Sequence, residues 1–193
     1  FYVGSSICTP SRAAFMTACY PSRVSMEISG TRRGVLQPVA QKGLSPGELT
    51  IAEALRQQGY ATMCIGKWHL GDHPDFMPTS QGFDHYFGIP YSNDMNRKQV
   101  PLPLVRDLTT IKDSVQRDTT ITTQYTTEAV KFIKANSKKP FFLYLPHTAV
   151  HLPLVPGEKF KGTSKDGPYG DWVQEIDWSM GELFKALKAE GID

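Results

Sequence analysis

The sequence predicts an α/β fold, a mainly parallel sheet sandwiched by helices. Three observations carry this expectation. Thr50 to Ile65 reads as a capped helix, a glycine stop and a strand, the repeating step of α/β chains. Phe141-Phe142-Leu143-Tyr144-Leu145 is an unbroken apolar run of the kind found in central parallel strands. Asp171 to Glu190 repeats apolar residues at helical spacing and ends at Gly191.

The elements follow in order. Phe1-Tyr2-Val3 reads as the end of a buried strand. Ser11 to Ala18 reads as a short helix, because Pro10 suits a helix start. Residues 21–47 are rich in Gly, Pro, Ser and Arg without a period, and read as a long surface loop. Thr50-Ile51-Ala52-Glu53 is a capping box, and its helix stops at Gly59. Tyr60 to Ile65 is a strand, followed by a Gly66–Gly71 loop and further loop over 72–81. Phe83 to Ile89 is a short extended segment, and Val100–Leu104 another within the Pro-, Asn- and Asp-containing stretch 90–113. Thr119 to Ala135 is a helix with Ile121, Tyr125, Ala129, Phe132 and Ile133 near one face, broken at Lys138-Lys139-Pro140. His147 to Pro153 is the loop after the apolar strand. On the last helix, Val173, Ile176, Met180, Leu183, Phe184 and Leu187 form the expected buried stripe.

A chain of 193 residues is long enough for one domain with a real core. Hydrophobic content of 40% and charged content of 21% are ordinary for a globular chain. The formal net charge of +2 argues neither for nor against anionic substrates. Arg32-Arg33 and Lys138-Lys139 are only doublets, so no nucleic-acid partner is expected. No apolar run approaches the ~20 residues of a membrane span, and none is expected. Three cysteines give no disulfide framework, and Cys19 and Cys64 read as small packing residues. The abrupt start at Phe1 and the end at Gly191-Ile192-Asp193, where another strand should follow, read as a fold truncated at both ends.

Chemistry-bearing residues gather in three loops. Lys67 and His69 follow one strand and His151 another. In open α/β sheets such loops meet beyond the carboxyl ends of the strands. Cys8, at a strand-to-helix turn, can join them. A thiol at a helix N-terminus feels the positive end of the dipole, and Arg12 lies one turn on; both favour thiolate. On position alone a buried structural cysteine remains an equal reading.

The run Cys8-Thr9-Pro10-Ser11-Arg12, followed by Ala13-Ala14 and Thr17, resembles the signature of type I sulfatases. Gly66-Lys67-Trp68-His69-Leu70-Gly71 resembles a second segment of that family, and Phe141–Pro153, with His151 followed by x-Pro, a third. Gln81-Gly82-Phe83-Asp84 and Gly88-Ile89-Pro90-Tyr91-Ser92-Asn93-Asp94 resemble the arylsulfatase A branch. The resemblance implies an alkaline-phosphatase-like fold, with residues 1–193 a partial N-terminal catalytic domain lacking its upstream strand and C-terminal part.

It also implies a reaction, the hydrolysis of a sulfate monoester. Cys8 would be oxidised by a formylglycine-generating enzyme to an aldehyde, whose hydrate attacks sulfur. Arg12 would hold the formylglycine, Lys67 a sulfate oxygen, and Ser92 the bound sulfate. His69 would act as base, its proton moving near neutral pH, and His151 would protonate the leaving oxygen. Asn93 stands where close relatives have histidine, which implies a different pocket edge and hence a different substrate. His147 is a weaker candidate, and His73 and His85 read as surface residues. One Ca2+ is implied, with Cys8 as formylglycine the one ligand present and the remaining ligands outside this chain. A sulfated small molecule or glycan is the implied substrate. The implied location is secreted, periplasmic or lysosomal. Two rivals stand beside this reading: a formylglycine-dependent phosphonate or phosphodiester hydrolase, and a non-catalytic sulfatase-like binding module.

Overall fold

In the computed structural model, residues 2–27 and 34–193 are described. Phe1, Arg32 and Arg33 lie outside them, as does part of the 21–47 loop. Strand β1 (Ala61–Lys67) is an interior strand of the sheet, and all seven of its residues are buried. It pairs in parallel with β2 (His85–Ile89) on one side and β5 (Phe141–Tyr144) on the other. β3 (Leu104–Arg106) and β4 (Thr109–Lys112) extend the sheet antiparallel beyond β2, giving the order β4-β3-β2-β1-β5. The sheet is therefore mixed, and its parallel part carries the loops of interest.

Alternation along β1 builds a core on each face. Met63 and Ile65 join Phe87, Ile89, Tyr125, Phe132 and Ile133 under helix α3 (Ile121–Asn136) and helix α4 (Gly167–Glu190). Cys64 and Trp68 point the other way, with Ala13, Met16, Leu44 and Phe83, under α1 (Cys8–Thr17) and α2 (Ile51–Gln57). The sandwich expected from the sequence is thus present. Thr50 caps α2 as expected: its hydroxyl accepts from Glu53 N and the Glu53 carboxylate accepts from Thr50 N. Gly191 ends α4 in the left-handed conformation.

Several expectations are corrected. Tyr2 is fully exposed and Val3 largely so, and neither is in a strand. α1 begins at Cys8, so Pro10 sits inside its first turn, where its missing N–H costs nothing. The extended piece near residue 100 is β3, four residues later at its start. It turns back through Asp107 (φ 54) into β4, an exposed strand. Among the described residues β5 stands at the edge of the sheet and is half-buried.

The buried face of α4 also differs. It comprises Asp171, Trp172, Glu175, Ser179, Leu183 and Ala186, while Val173 and Phe184 are exposed. Polar residues occupy that face because each finds a partner. Trp172 Nε1 donates to Thr122 Oγ1, Glu175 Oε2 accepts from Gly157 N, and Ser179 Oγ lies 2.6 Å from Thr126 Oγ1.

Candidate active site

Lys67 is the last residue of β1, and its flat approach depends on two glycines. A Cβ at Gly66 (φ 125) would lie 2.1 Å from the Pro146 carbonyl oxygen, and one at Gly88 1.9 Å from that of Gly66. Their absence lets β1, β2 and the segment after β5 close up at the carboxyl ends of the strands. Lys67 N donates to Pro146 O there, and Trp68 N and His69 N donate to Ile89 O and Pro90 O.

The side chains converge over that end. Lys67 Nζ donates to Cys8 Sγ at 3.2 Å and to Ser92 Oγ at 3.0 Å. Ser92 Oγ lies 3.3 Å from His151 Nδ1. Cys8, Lys67, Ser92 and His151 thus form one continuous polar chain from α1 to the loop after β5. Arg12 joins it from one turn up α1, donating through Nη1 to the Lys67 carbonyl. Lys67 is buried, and burial first, then the Arg12 charge, pushes its ammonium down to about 8. It stays mostly protonated at neutral pH. Cys8 is partly exposed and lines an open groove of about 1030 Å3 with Arg12, Phe15 and Tyr144.

His69 is fixed on every side. Its backbone is left-handed (φ 64), a conformation tolerated by histidine but not preferred. Its carbonyl accepts from Thr9 Oγ1, and Nε2 lies 3.0 Å from Leu36 O. A carbonyl can only accept, so Nε2 carries the hydrogen and Nδ1 keeps its lone pair. Nδ1 is buried and has no hydrogen-bond partner among the described residues. Burial, then the Lys67 charge, pushes the ring down to about 3. In this arrangement His69 turns its Nδ1 lone pair, the position from which a base would act, away from Leu36 O.

His151 Nδ1 lies 2.8 Å from Leu152 O, which leaves Nε2 as its outward nitrogen. Asp94 Oδ1 is 4.0 Å from the same Nδ1. Asn93 is buried, and its Nδ2 donates to His151 O and Pro153 O. His147 lies away from this chain of groups, with Nε2 3.4 Å from Ser179 Oγ and the ring against Tyr125. His73 and His85 are exposed beside Asp75 and Asp107. Cys64 is fully buried packing. All six candidates, Cys8, Arg12, Lys67, His69, Ser92 and His151, therefore lie at one end of the sheet. The contributions of Thr9 and Asn93 were not legible, although each lies inside a quoted motif.

Lys67 and Arg12 thus set two cationic groups in a partly buried cleft at the carboxyl ends of parallel strands of an α/β sheet. The chain belongs to the sulfatase family: the family model described as Sulfatase matches residues 1–193. Arylsulfatase A of Bos taurus is 36% identical over 219 residues, covering 100% of this chain and 41% of the relative. N-acetylgalactosamine-6-sulfatase of Mus musculus is 34% identical over 207 residues, covering 100% of this chain and 40% of the relative. The chain thus spans about two fifths of the length of these relatives. Among solved structures, Ps i-CgsB in complex with k-i-k-neocarrahexaose superposes with a TM-score of 0.82 at 28% identity, over 99% of this chain and 46% of that one. The PsFucS1 sulfatase from Pseudoalteromonas sp. superposes with a TM-score of 0.79 at 27% identity, over 96% and 42%.

Proposed function

We propose that the protein carrying this chain hydrolyses sulfate monoesters, releasing an alcohol or phenol and inorganic sulfate. The observation that carries this reading is Lys67 Nζ, buried and bridging Cys8 Sγ to Ser92 Oγ. It sets a positive charge between the would-be nucleophile and a hydroxyl suited to a sulfate oxygen. Cys8 Sγ stands where the oxygen of formylglycine would sit. That group supplies a nucleophilic oxygen for sulfur and a second hydroxyl through which sulfate is later expelled.

The chain's own residues divide the work. The Lys67 ammonium balances the anionic sulfate in a site that little water reaches. Arg12, tied to the Lys67 carbonyl, adds a second fixed positive charge beside Cys8. As the imidazolium, with Nδ1–H held by Leu152 O, His151 would donate its Nε2 proton to the leaving oxygen as the S–O bond breaks and return to the neutral Nδ1–H ring. His69 Nδ1 accepts a proton from the hydroxyl that becomes the aldehyde again, as sulfate departs. Ser92 holds a sulfate oxygen while accepting from Lys67.

The family implies one Ca2+, a cation that takes carboxylate and carbonyl oxygens. Around Cys8 this chain places an ammonium, a guanidinium and a hydroxyl. Among the described residues no group of three or more His, Cys, Asp or Glu could hold a metal. These residues do not make a calcium cage.

A sulfated saccharide is the substrate class we favour, from the relative named N-acetylgalactosamine-6-sulfatase and the neighbour solved with k-i-k-neocarrahexaose. The maturation partner is a formylglycine-generating enzyme, and the compartment secreted, periplasmic or lysosomal. Among the described residues no helix is long and apolar enough to cross a membrane. Parallel rate assays on the full-length, matured protein test the reaction. Aryl and saccharide sulfates should turn over faster than phosphonate or phosphodiester esters. Faster phosphorus-ester turnover, or none of either, would overturn the proposal.

A further inference from the structure

We propose that Asn93 is a positioning residue that sets the reach of His151. The inference rests on the reading of His151 as proton donor. β2 and β5 are not neighbours in the sheet, because β1 lies between them. No ladder of backbone hydrogen bonds therefore couples the loop after β2 to the loop after β5. Asn93 supplies that tie. Its Nδ2 donates to His151 O at 2.9 Å and to Pro153 O at 3.2 Å, across the end of β1.

The chemistry of the contact is specific to donors. Both neighbours are carbonyl oxygens, so the amide must present its NH2 side to them. Its Oδ1 is buried and has no hydrogen-bond partner among the described residues. Asn93 therefore acts through its two N–H groups, not through its acceptor. The carbonyl between the two, Leu152 O, is taken by His151 Nδ1 at 2.8 Å. Three successive carbonyls are thus occupied, which fixes the backbone around His151 and ties its ring through Nδ1, leaving Nε2 as the nitrogen for proton transfer. Ser92, one residue before Asn93, touches Lys67 and His151. The same short turn, Asn93–Met95 with Ser92 as its cap, holds the sulfate-binding hydroxyl and the proton donor in one frame.

Loss of a proton donor matters most when the leaving oxygen is a poor leaving group. The test is leaving-group dependence in the full-length, matured protein, using 4-nitrophenyl sulfate against a saccharide 6-sulfate. Asn93→Asp keeps the shape and removes both donors. Asn93→Ala removes them without burying a charge, and serves if the first variant does not fold by circular dichroism. The expected result is a loss of kcat of about a hundredfold on the saccharide sulfate and under about threefold on the nitrophenyl ester. KM should be little changed, and Asn93→His, which keeps one ring N–H, should recover part of the loss. His151→Ala is the control and should show the same split. If it does and the folded Asn93 variants lose both substrates equally, or neither, the positioning role is overturned. If His151→Ala itself shows no split, the proton-donor reading fails and the inference falls with it.

Discussion

Thr9 Oγ1 donates to the carbonyl of His69 and accepts from Leu36 N, each at 3.1 Å. One buried hydroxyl thus pins the residue after Cys8 to two segments that surround the His69 ring, and it holds His69 in its left-handed conformation. Thr9→Val keeps the volume and strands a buried carbonyl and a buried N–H. The expected cost is about 1–3 kcal/mol for each group left unpaired, read as a lowered urea midpoint. Thr9→Ser should restore most of it.

Lys67→Met removes the charge and keeps the length. The turnover of sulfate esters should fall by about 10²–10³-fold, the scale of removing one oxyanion-stabilising donor. Urea unfolding should show no loss of stability, because a buried ammonium is costly to keep. Steady-state kinetics beside the unfolding curve separate the two effects. Unchanged turnover would remove Lys67 from the site.

Gly66→Ala should destabilise by at least about 1–3 kcal/mol, since a methyl would meet the Pro146 carbonyl and the backbone there suits glycine alone. Gly59→Ala is the matched control. Gly59 also has positive φ (82), but nothing lies within 4 Å of its Cβ position, so only backbone strain of about 1 kcal/mol applies. Thermal melts of the two variants should differ clearly, with Gly66→Ala the lower.

Stability should fall with acid through His147. Burial pushes its ring down to about 4, from an ordinary value of 6.5. The folded state therefore binds fewer protons than the unfolded state between these values. Its contribution is fully present above about pH 6.5 and is lost progressively toward about pH 4. His147→Gln, which cannot titrate, should make the fall of the denaturant midpoint over that window less steep, the remainder coming from His69. An equally steep acid limb in the variant would exclude His147 as a cause.

Much of the site was legible because Cys8 with Arg12, and Lys67 with His69, lie in short runs that resemble the family's motifs, while Ser92 was legible from the resemblance alone. Their convergence followed from one topological rule, that loops meet beyond the carboxyl ends of parallel strands. The contacts of Asn93 were not legible because they lie 58 and 60 residues away in sequence, and no local pattern reports them. The same holds for α4. Apolar spacing alone selected Val173 and Phe184, whereas Glu175 and Ser179 are buried because Gly157 and Thr126 pair with them. β4 escaped notice because Thr-Thr-Ile-Lys is an exposed edge strand with no buried face to set a period.

The central claim is that Cys8 is converted to an aldehyde within reach of Lys67. Mass spectrometry of the Cys8 peptide, from full-length protein produced with a formylglycine-generating enzyme, tests it most directly. The account predicts that the sulfur at position 8 is replaced by an aldehyde oxygen, and that the modified fraction tracks sulfate-ester turnover. An intact thiol at position 8 in protein that hydrolyses sulfate esters would contradict it.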